Sequence, residues 1–325
     1  MEIFYYSMTL SLITKLISAC KQVLRFFGIY EFIKKLLKRH PTPISEIPYH
    51  PLSRAEKALY FLDRKGLGLE IGPSHNPIAP KRLGFSVEVL DHLNAEGLRR
   101  KYADHARFGV NLDNIEEVDY VWNGEDLKAL TGKENWYDWI ISSHVIEHIP
   151  NLVSHLQQCE HLIKNTGFIS LVIPDMRYCF DHFSSVNLTG DFLDAYLQKS
   201  TRPTPGAIFN HFSSACQLNE KICWDFKEAN SNYQLMHGLA DAKNLWEYAQ
   251  THDEYIDTHC WHFTPASFML LISDLKYLGL IQSSVVGSFA TSGCEFYVTL
   301  SKSMPNDRPI DRLSLLIAIQ DELKA

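Results

Sequence analysis

Gly66-Leu67-Gly68-Leu69-Glu70-Ile71-Gly72-Pro73-Ser74-His75-Asn76 is a short apolar run with an acid two residues ahead of a glycine. That is the pattern of a buried strand running into a tight turn. Further apolar, β-rich runs follow at Ser86–Leu90, Val118–Trp122, Trp139–Ser142 and Phe168–Ile173, and helical patterns lie between several of them. From Leu152 to Lys164 the apolar positions fall at 152, 153, 156, 159, 162 and 163, a helical spacing closed by Asn165-Thr-Gly167. Strands alternating with helices imply a parallel α/β sheet. A helix is expected over Arg54–Arg64 and another from Thr264-Pro265 into Phe268–Leu278, where Thr and Pro occupy the cap and first helical positions. Two late runs, Ser284–Phe289 and Cys294–Leu300, read as a hairpin-like pair at the sheet edge.

In a doubly wound sheet the carboxyl end of the first strand borders the ligand crevice. Asp91 comes 21 residues after Glu70, at the end of the second strand, where a carboxylate can accept hydrogen bonds from ribose hydroxyls. A dinucleotide fingerprint needs GxGxxG, but positions 72, 74 and 77 are Gly, Ser and Pro, so NAD and FAD are disfavoured. An adenosine-containing ligand remains.

In this order and spacing the chain resembles the class I S-adenosylmethionine-dependent methyltransferases, over roughly Gly66 to Ile173. Glu70-Ile71-Gly72 resembles the family's first motif, with Ser74 where a second glycine is usual. Asp91 matches the ribose-binding acid, and Asn123-Gly124-Glu125-Asp126-Leu127 resembles the adenine-capping segment, with Asn123 in place of the usual Asp. Tyr137-Asp138-Trp139-Ile140-Ile141-Ser142-Ser143-His144-Val145-Ile146-Glu147-His148-Ile149-Pro150 resembles the fourth-strand motif that ends beside the sulfonium, and Gly167–Asp175 the fifth strand and its exit. The resemblance implies a Rossmann-like, doubly wound, mostly parallel seven-stranded sheet and S-adenosyl-L-methionine as cofactor. The expected cofactor-binding residues are Glu70, Gly72, Pro73, Ser74, Asp91, His92, Asn123, Gly124, Glu125, Ser143 and His144.

The rest of the chain narrows the partners. Hydrophobic residues at 46% and charged residues at 21% match an ordinary globular protein, and 31 Lys and Arg against 38 Asp and Glu give a net charge of −7. No basic footprint for nucleic acid is present. Seven scattered cysteines without a CxxC pair suit a reducing cytoplasm better than a disulfide framework. Residues 1–50 read as an amphipathic helical extension followed by a Pro-rich linker, Pro41–Pro51. The longest uncharged run there, Ile3 to Thr14, is too short to span a bilayer. The basic apolar arm suits either an anionic membrane surface at the inner face or packing on the domain. Deleting Met1–His40 is expected to release the protein from anionic vesicles if the arm is a membrane contact, and unchanged vesicle binding would exclude that role.

Residues 51–174 are then the cofactor-binding half, 175–263 a mainly helical substrate cap inserted after the fifth strand, and 264–325 a helix and strand pair completing the sheet. The cap holds Asp175-Met-Arg177-Tyr178-Cys-Phe180-Asp181-His182 and, later, Asp257-Thr-His259-Cys-Trp261-His262. These segments resemble methyltransferases encoded with bacterial glycan-assembly enzymes. The resemblance implies O-methylation of a sugar or glycan intermediate, small or lipid-linked; a phenolic or quinone acceptor and a non-catalytic cofactor-binding module are the alternatives. A hydroxyl acceptor benefits from a base, for which His144 leads, with His182 and Asp175 behind it. The HxxEH pattern at His144–His148 also occurs in zinc proteases on a helix that Pro150 denies here. Glu147 and His148 therefore read as bracing the turn, the His259/His262 pair lacks partners at known spacing, and no metal is expected.

Overall fold

The computed structural model describes residues 52–104, 110–225, 232–303 and 311–324, with the described elements in the unit Ser53–Ala325. The expected extension over 1–50 and its Pro41–Pro51 linker lie outside the described residues. Nine strands are described: β1 Gly68–Ile71, β2 Val87–Asp91, β3 Tyr120–Val121, β4 Tyr137–Ser143, β5 Ile163–Pro174, β6 Cys216–Leu218, β7 Tyr233–Leu235, β8 Ser284–Ser292 and β9 Glu295–Ser301. The helices are α1 Arg54–Ala58, α2 Ala95–Tyr102, α3 Leu127–Thr131, α4 Leu152–Leu162, α5 Thr189–Leu197, α6 Pro205–Ser214, α7 Leu239–Thr251, α8 Pro265–Tyr277 and α9 Arg312–Glu322.

Seven strands form one sheet in the order β3-β2-β1-β4-β5-β9-β8. β1 to β5 run parallel, and β9 lies antiparallel between β5 and β8. This is the doubly wound, mostly parallel architecture expected from the sequence, and the late strand pair closes one edge. The central strands are apolar because both faces are covered; Leu69, Ile71, Tyr137, Trp139, Ile140 and Ile141 are fully buried. Gly68 is required by close packing, since a Cβ there would stand 2.1 Å from the Trp139 ring. The Trp139 indole N–H is satisfied by the Asp63 carbonyl at 3.0 Å.

Element ends differ from expectation for local reasons. The helix expected over Arg54–Arg64 stops at Ala58, after which Tyr60 and Leu62 N–H donate three residues back, to Lys57 and Leu59. The chain thus tightens into 3₁₀-like turns that keep Leu59 and Leu62 buried. The crossover α4 ends at Leu162 because Ile163 already pairs with Tyr137 in the sheet. The cap contains α5, α6 and α7, but also the antiparallel β6–β7 hairpin, whose three-residue strands are too short to show an alternating pattern. None of the described helices is long and apolar enough to cross a membrane.

Candidate active site

The strand order reverses between β1 and β4, so their carboxyl ends flank a topological switch point, the usual ligand position in open α/β sheets. Register places the expected residues along one edge. Ile71 sits between Leu90 of β2 and Ser142 of β4, and Asp91 beside Val121 of β3. Gly72 N–H donates to Leu90 O at 2.8 Å and His144 N–H to Val172 O at 3.0 Å. Gly72 has φ +67°, and a Cβ would lie 2.5 Å from Val145 Cγ2, so glycine is needed both for the turn and for the approach of the β4 exit. Ser74 also adopts a left-handed φ of +50°, a conformation that only glycine takes without strain.

Two buried carboxylates shape the turn between them. Asp91 Oδ2 accepts the Ser74 N–H at 2.9 Å, and Oδ1 accepts the His92 N–H at 2.8 Å with His92 Nδ1 at 2.7 Å. Glu70, expected beside the cofactor, instead faces beneath the loop and accepts the Ile78 and Ala79 N–H groups at 2.6 and 3.1 Å. Burial raises its pKa to about 7 against the lowering effect of those amides. Pro73 O closes the turn by accepting the Asn76 N–H at 2.9 Å. Beyond β3, Gly124 has φ +95° and the Glu125 carboxylate accepts the Asn123 N–H at 2.7 Å, leaving these residues exposed at the same sheet edge.

At the β4 exit His144 is held in a left-handed conformation, φ +52°. Its Nε2 lies 2.9 Å from Glu295 Oε2, and its Nδ1 lies 3.8 Å from Glu147 Oε1. Glu295 also accepts Arg54 Nε at 3.0 Å and the Tyr297 hydroxyl, while Arg54 reaches the Ser143 hydroxyl. Burial works against both charges, yet the His144 hydrogen bond and Arg54 hold the Glu295 carboxyl down at about 2. Burial likewise disfavours the His144 cation, but Glu295 and Glu147 outweigh it and raise its pKa. The Arg54–Glu295 clasp was not foreseen from sequence, because its members are 241 residues apart.

No protein-family model and no curated protein matches the chain. It is similar in structure to a Rhodobacter sphaeroides protein described as a zinc-dependent alcohol dehydrogenase, at 12% identity over 78% of this chain and 90% of that one, TM-score 0.42. It is also similar to the CcbJ methyltransferase of Streptomyces caelestis, at 12% identity over 79% and 99%, TM-score 0.38. A third is the methyltransferase CalH in complex with SAH, at 14% identity over 76% and 53%, TM-score 0.36.

The other base candidates are engaged within the protein. Asp175 is fully buried and receives Arg177 Nε at 2.9 Å, Arg177 Nη2 at 2.7 Å and the Thr291 hydroxyl at 2.6 Å. His182 Nδ1 lies 2.7 Å from Arg177 O, which makes it the protonated nitrogen and leaves the lone pair on Nε2. Its ring stacks on Tyr233 with centroids 4.8 Å apart.

Segment 175–263 forms most of a half-open cleft of about 560 Å³ whose walls include Asn187, Asp191, Asp194, Arg202, Asn210 and Trp261. Two hydrogen bonds clamp its inner wall to the β4 exit: the Cys260 main-chain N–H donates to Glu147 O at 2.7 Å, and the Trp261 indole N–H to Ile149 O at 2.7 Å. The same clamp brings His259 to Glu147 and His148, a grouping the sequence reading did not assemble although it singled out each residue. His259 Nε2 lies 3.9 Å from Glu147 Oε1, and the His148 and His259 rings meet edge to face at 4.5 Å.

Proposed function

We propose that the chain is an S-adenosyl-L-methionine-dependent methyltransferase acting on an oxygen of a sugar or glycan intermediate. The observation that carries this reading is the adjacency of Asp91, the Gly72–Ser74 turn and the β4 exit at the switch point. Asp91 Oδ2 accepts a single hydrogen bond, and the His92 ring on Oδ1 is about half exposed. A ribose hydroxyl can therefore take the free acceptor site and displace His92 toward solvent. Asn123 and Glu125 at the next strand end suit the adenine.

Methyl transfer from a sulfonium is an in-line displacement, so alignment and exclusion of water supply much of the acceleration. The acceptor hydroxyl must lose its proton, and His144 beside the predicted methyl position is the base this reading favours. Its cation is stabilised by Glu295 and Glu147, so the base form gains population as pH rises through its raised pKa. The amide, carboxylate and aromatic groups around the cap cavity favour a polyhydroxylated acceptor, free or lipid-linked. The place of action proposed is the cytoplasm, at the inner membrane face if residues 1–40 engage lipid.

Calorimetric titration with S-adenosylmethionine and its demethylated product tests the cofactor half of the proposal. Asp91→Ala is expected to weaken product binding by about 1–3 kcal/mol, the scale for leaving buried polar partners unmatched. Failure of the wild-type chain to bind either compound would end the proposal. Binding without transfer to any sugar acceptor would reduce it to a cofactor-binding module.

A further inference from the structure

Glu147 is fully buried, and neither carboxylate oxygen has a hydrogen-bond partner. Such a group is costly unless a charge neutralises it. Around it stand three imidazoles. His148 and His259 each offer a ligand atom, and with a Glu147 oxygen these atoms lie within 4.8 Å of one another. His144 Nδ1 faces Glu147 Oε1 from outside this group at 3.8 Å.

Each imidazole has a carboxylate at one ring nitrogen. Asp181 Oδ2 is 2.6 Å from His259 Nδ1, Asp257 Oδ1 is 2.8 Å from His148 Nδ1, and Glu295 Oε2 is 2.9 Å from His144 Nε2. At His259 and His144 the carboxylate hydrogen-bonded to one nitrogen fixes the tautomer, turns the other nitrogen's lone pair inward and raises its basicity, as around metal-bound histidines. The Asp257 contact to His148 is an ion pair by distance without hydrogen-bond geometry. The sequence hides this arrangement because His259 belongs to the cap, more than 100 residues from Glu147, and is brought in by bonds such as Cys260 N–H to Glu147 O and the Trp261 indole to Ile149 O.

We infer that Glu147, His148 and His259 form a binding site for a divalent first-row transition cation of the zinc type, with His259 oriented by Asp181. Two imidazoles and one carboxylate are a donor set of borderline softness that suits Zn²⁺ and Co²⁺ better than Mg²⁺ or Ca²⁺. Ligand bonds of about 2.1 Å in a tetrahedral shell set donors about 3.4 Å apart. The 3.9 Å between Glu147 Oε1 and His259 Nε2 therefore closes by a small side-chain rotation. Three protein donors leave one position for an oxygen ligand, as in cations that act chemically. The site does not depend on the methyltransferase reading, and its test needs no cofactor.

The experiment titrates Co²⁺, read by its visible d–d absorption, and Zn²⁺, read by calorimetry, into the untagged full-length chain after chelator treatment. One equivalent is expected to bind with a tetrahedral-type Co²⁺ spectrum. Glu147→Gln and His259→Ala are expected to weaken that site by about 100-fold or more. Asp181→Asn, which touches no cation, should weaken it about 10- to 100-fold. Near-ultraviolet circular dichroism checks that each variant is folded; Glu147→Gln keeps the side-chain shape. Zn²⁺ should raise the Tm of the wild type and not that of Glu147→Gln. Equal affinity in wild type and Glu147→Gln, or no stoichiometric binding by the wild type, would overturn the inference. So would a Glu147→Gln protein more stable than wild type both with and without Zn²⁺, since that marks Glu147 as an uncompensated acid and nothing more.

Discussion

Asp175→Ala is expected to destabilise the protein by about 3–5 kcal/mol, the scale for removing one partner of a buried ion pair. Arg177, its side chain 15% exposed, would be left facing a hole where Asp175 now accepts its Nε and Nη2 as a bidentate pair. Thr291 of β8 would lose its acceptor as well. Arg177 Nη1 also donates to Glu322 O at the end of α9 at 3.0 Å, so one carboxylate ties together the β5 exit, β8 and the last described helix. Asp175→Asn keeps the shape and one acceptor oxygen and should cost roughly half as much. Urea unfolding with an unchanged m-value reads both effects. A loss below about 0.5 kcal/mol for Asp175→Ala, the usual range for surface substitutions, would show that the Arg177 pair carries no stability and would return Asp175 to the base candidates as an unencumbered group.

What the sequence made legible is what local pattern encodes. The apolar runs from Leu69 to Ile173 named the parallel strands because burial on both faces demands unbroken apolar character there. Gly72 and Asp91 could be placed at strand ends because turn chemistry and strand length are both short-range. The partners of those residues were not legible. Glu70 sits in a strand facing the crevice by position, yet its carboxylate turns under the loop to Ile78 and Ala79, a choice set by which N–H groups the loop leaves unpaired. Arg54–Glu295 and Glu147–His259 depend on how the β9 edge and the cap return to β4, which no spacing along the chain expresses. His144 shows both sides: its position at the β4 exit was readable, but its left-handed backbone and its bond to Glu295 were not.

Glu70 should make the stability of the protein fall as pH rises from about 4.5 to about 7. Its pKa is 4.5 when the chain is unfolded and exposed, and about 7 when folded, chiefly because burial penalises the carboxylate. Between these values the native state holds a proton that the unfolded state has released, so the stability contributed by the neutral carboxyl is complete below about 4.5 and lost as pH climbs through about 7. At about 1.36 kcal/mol per pH unit the loss is about 3 kcal/mol. Glu295 and Asp181 are each held at about 2 despite burial, Glu295 by the His144 hydrogen bond and Arg54 and Asp181 chiefly by its contact with His259, and they act in the opposite sense: their stabilisation is present above the ordinary carboxylate range and disappears as pH falls toward 2. The window from 4.5 to 7 therefore belongs to Glu70 among these acids. His144 and His148, whose pKa values are raised by their carboxylate neighbours against burial, are common to wild type and variant, so their contributions largely cancel in the comparison. Glu70→Gln keeps an oxygen to accept from the loop amides and cannot ionise. The difference in unfolding free energy between Glu70→Gln and wild type, measured by urea denaturation at half-unit steps of pH, should grow in the variant's favour by about 3 kcal/mol across that window. A difference that stays flat would mean that Glu70 ionises in the native state as readily as in water, and the two loop amides rather than burial would then govern the carboxylate beneath the Gly72 turn.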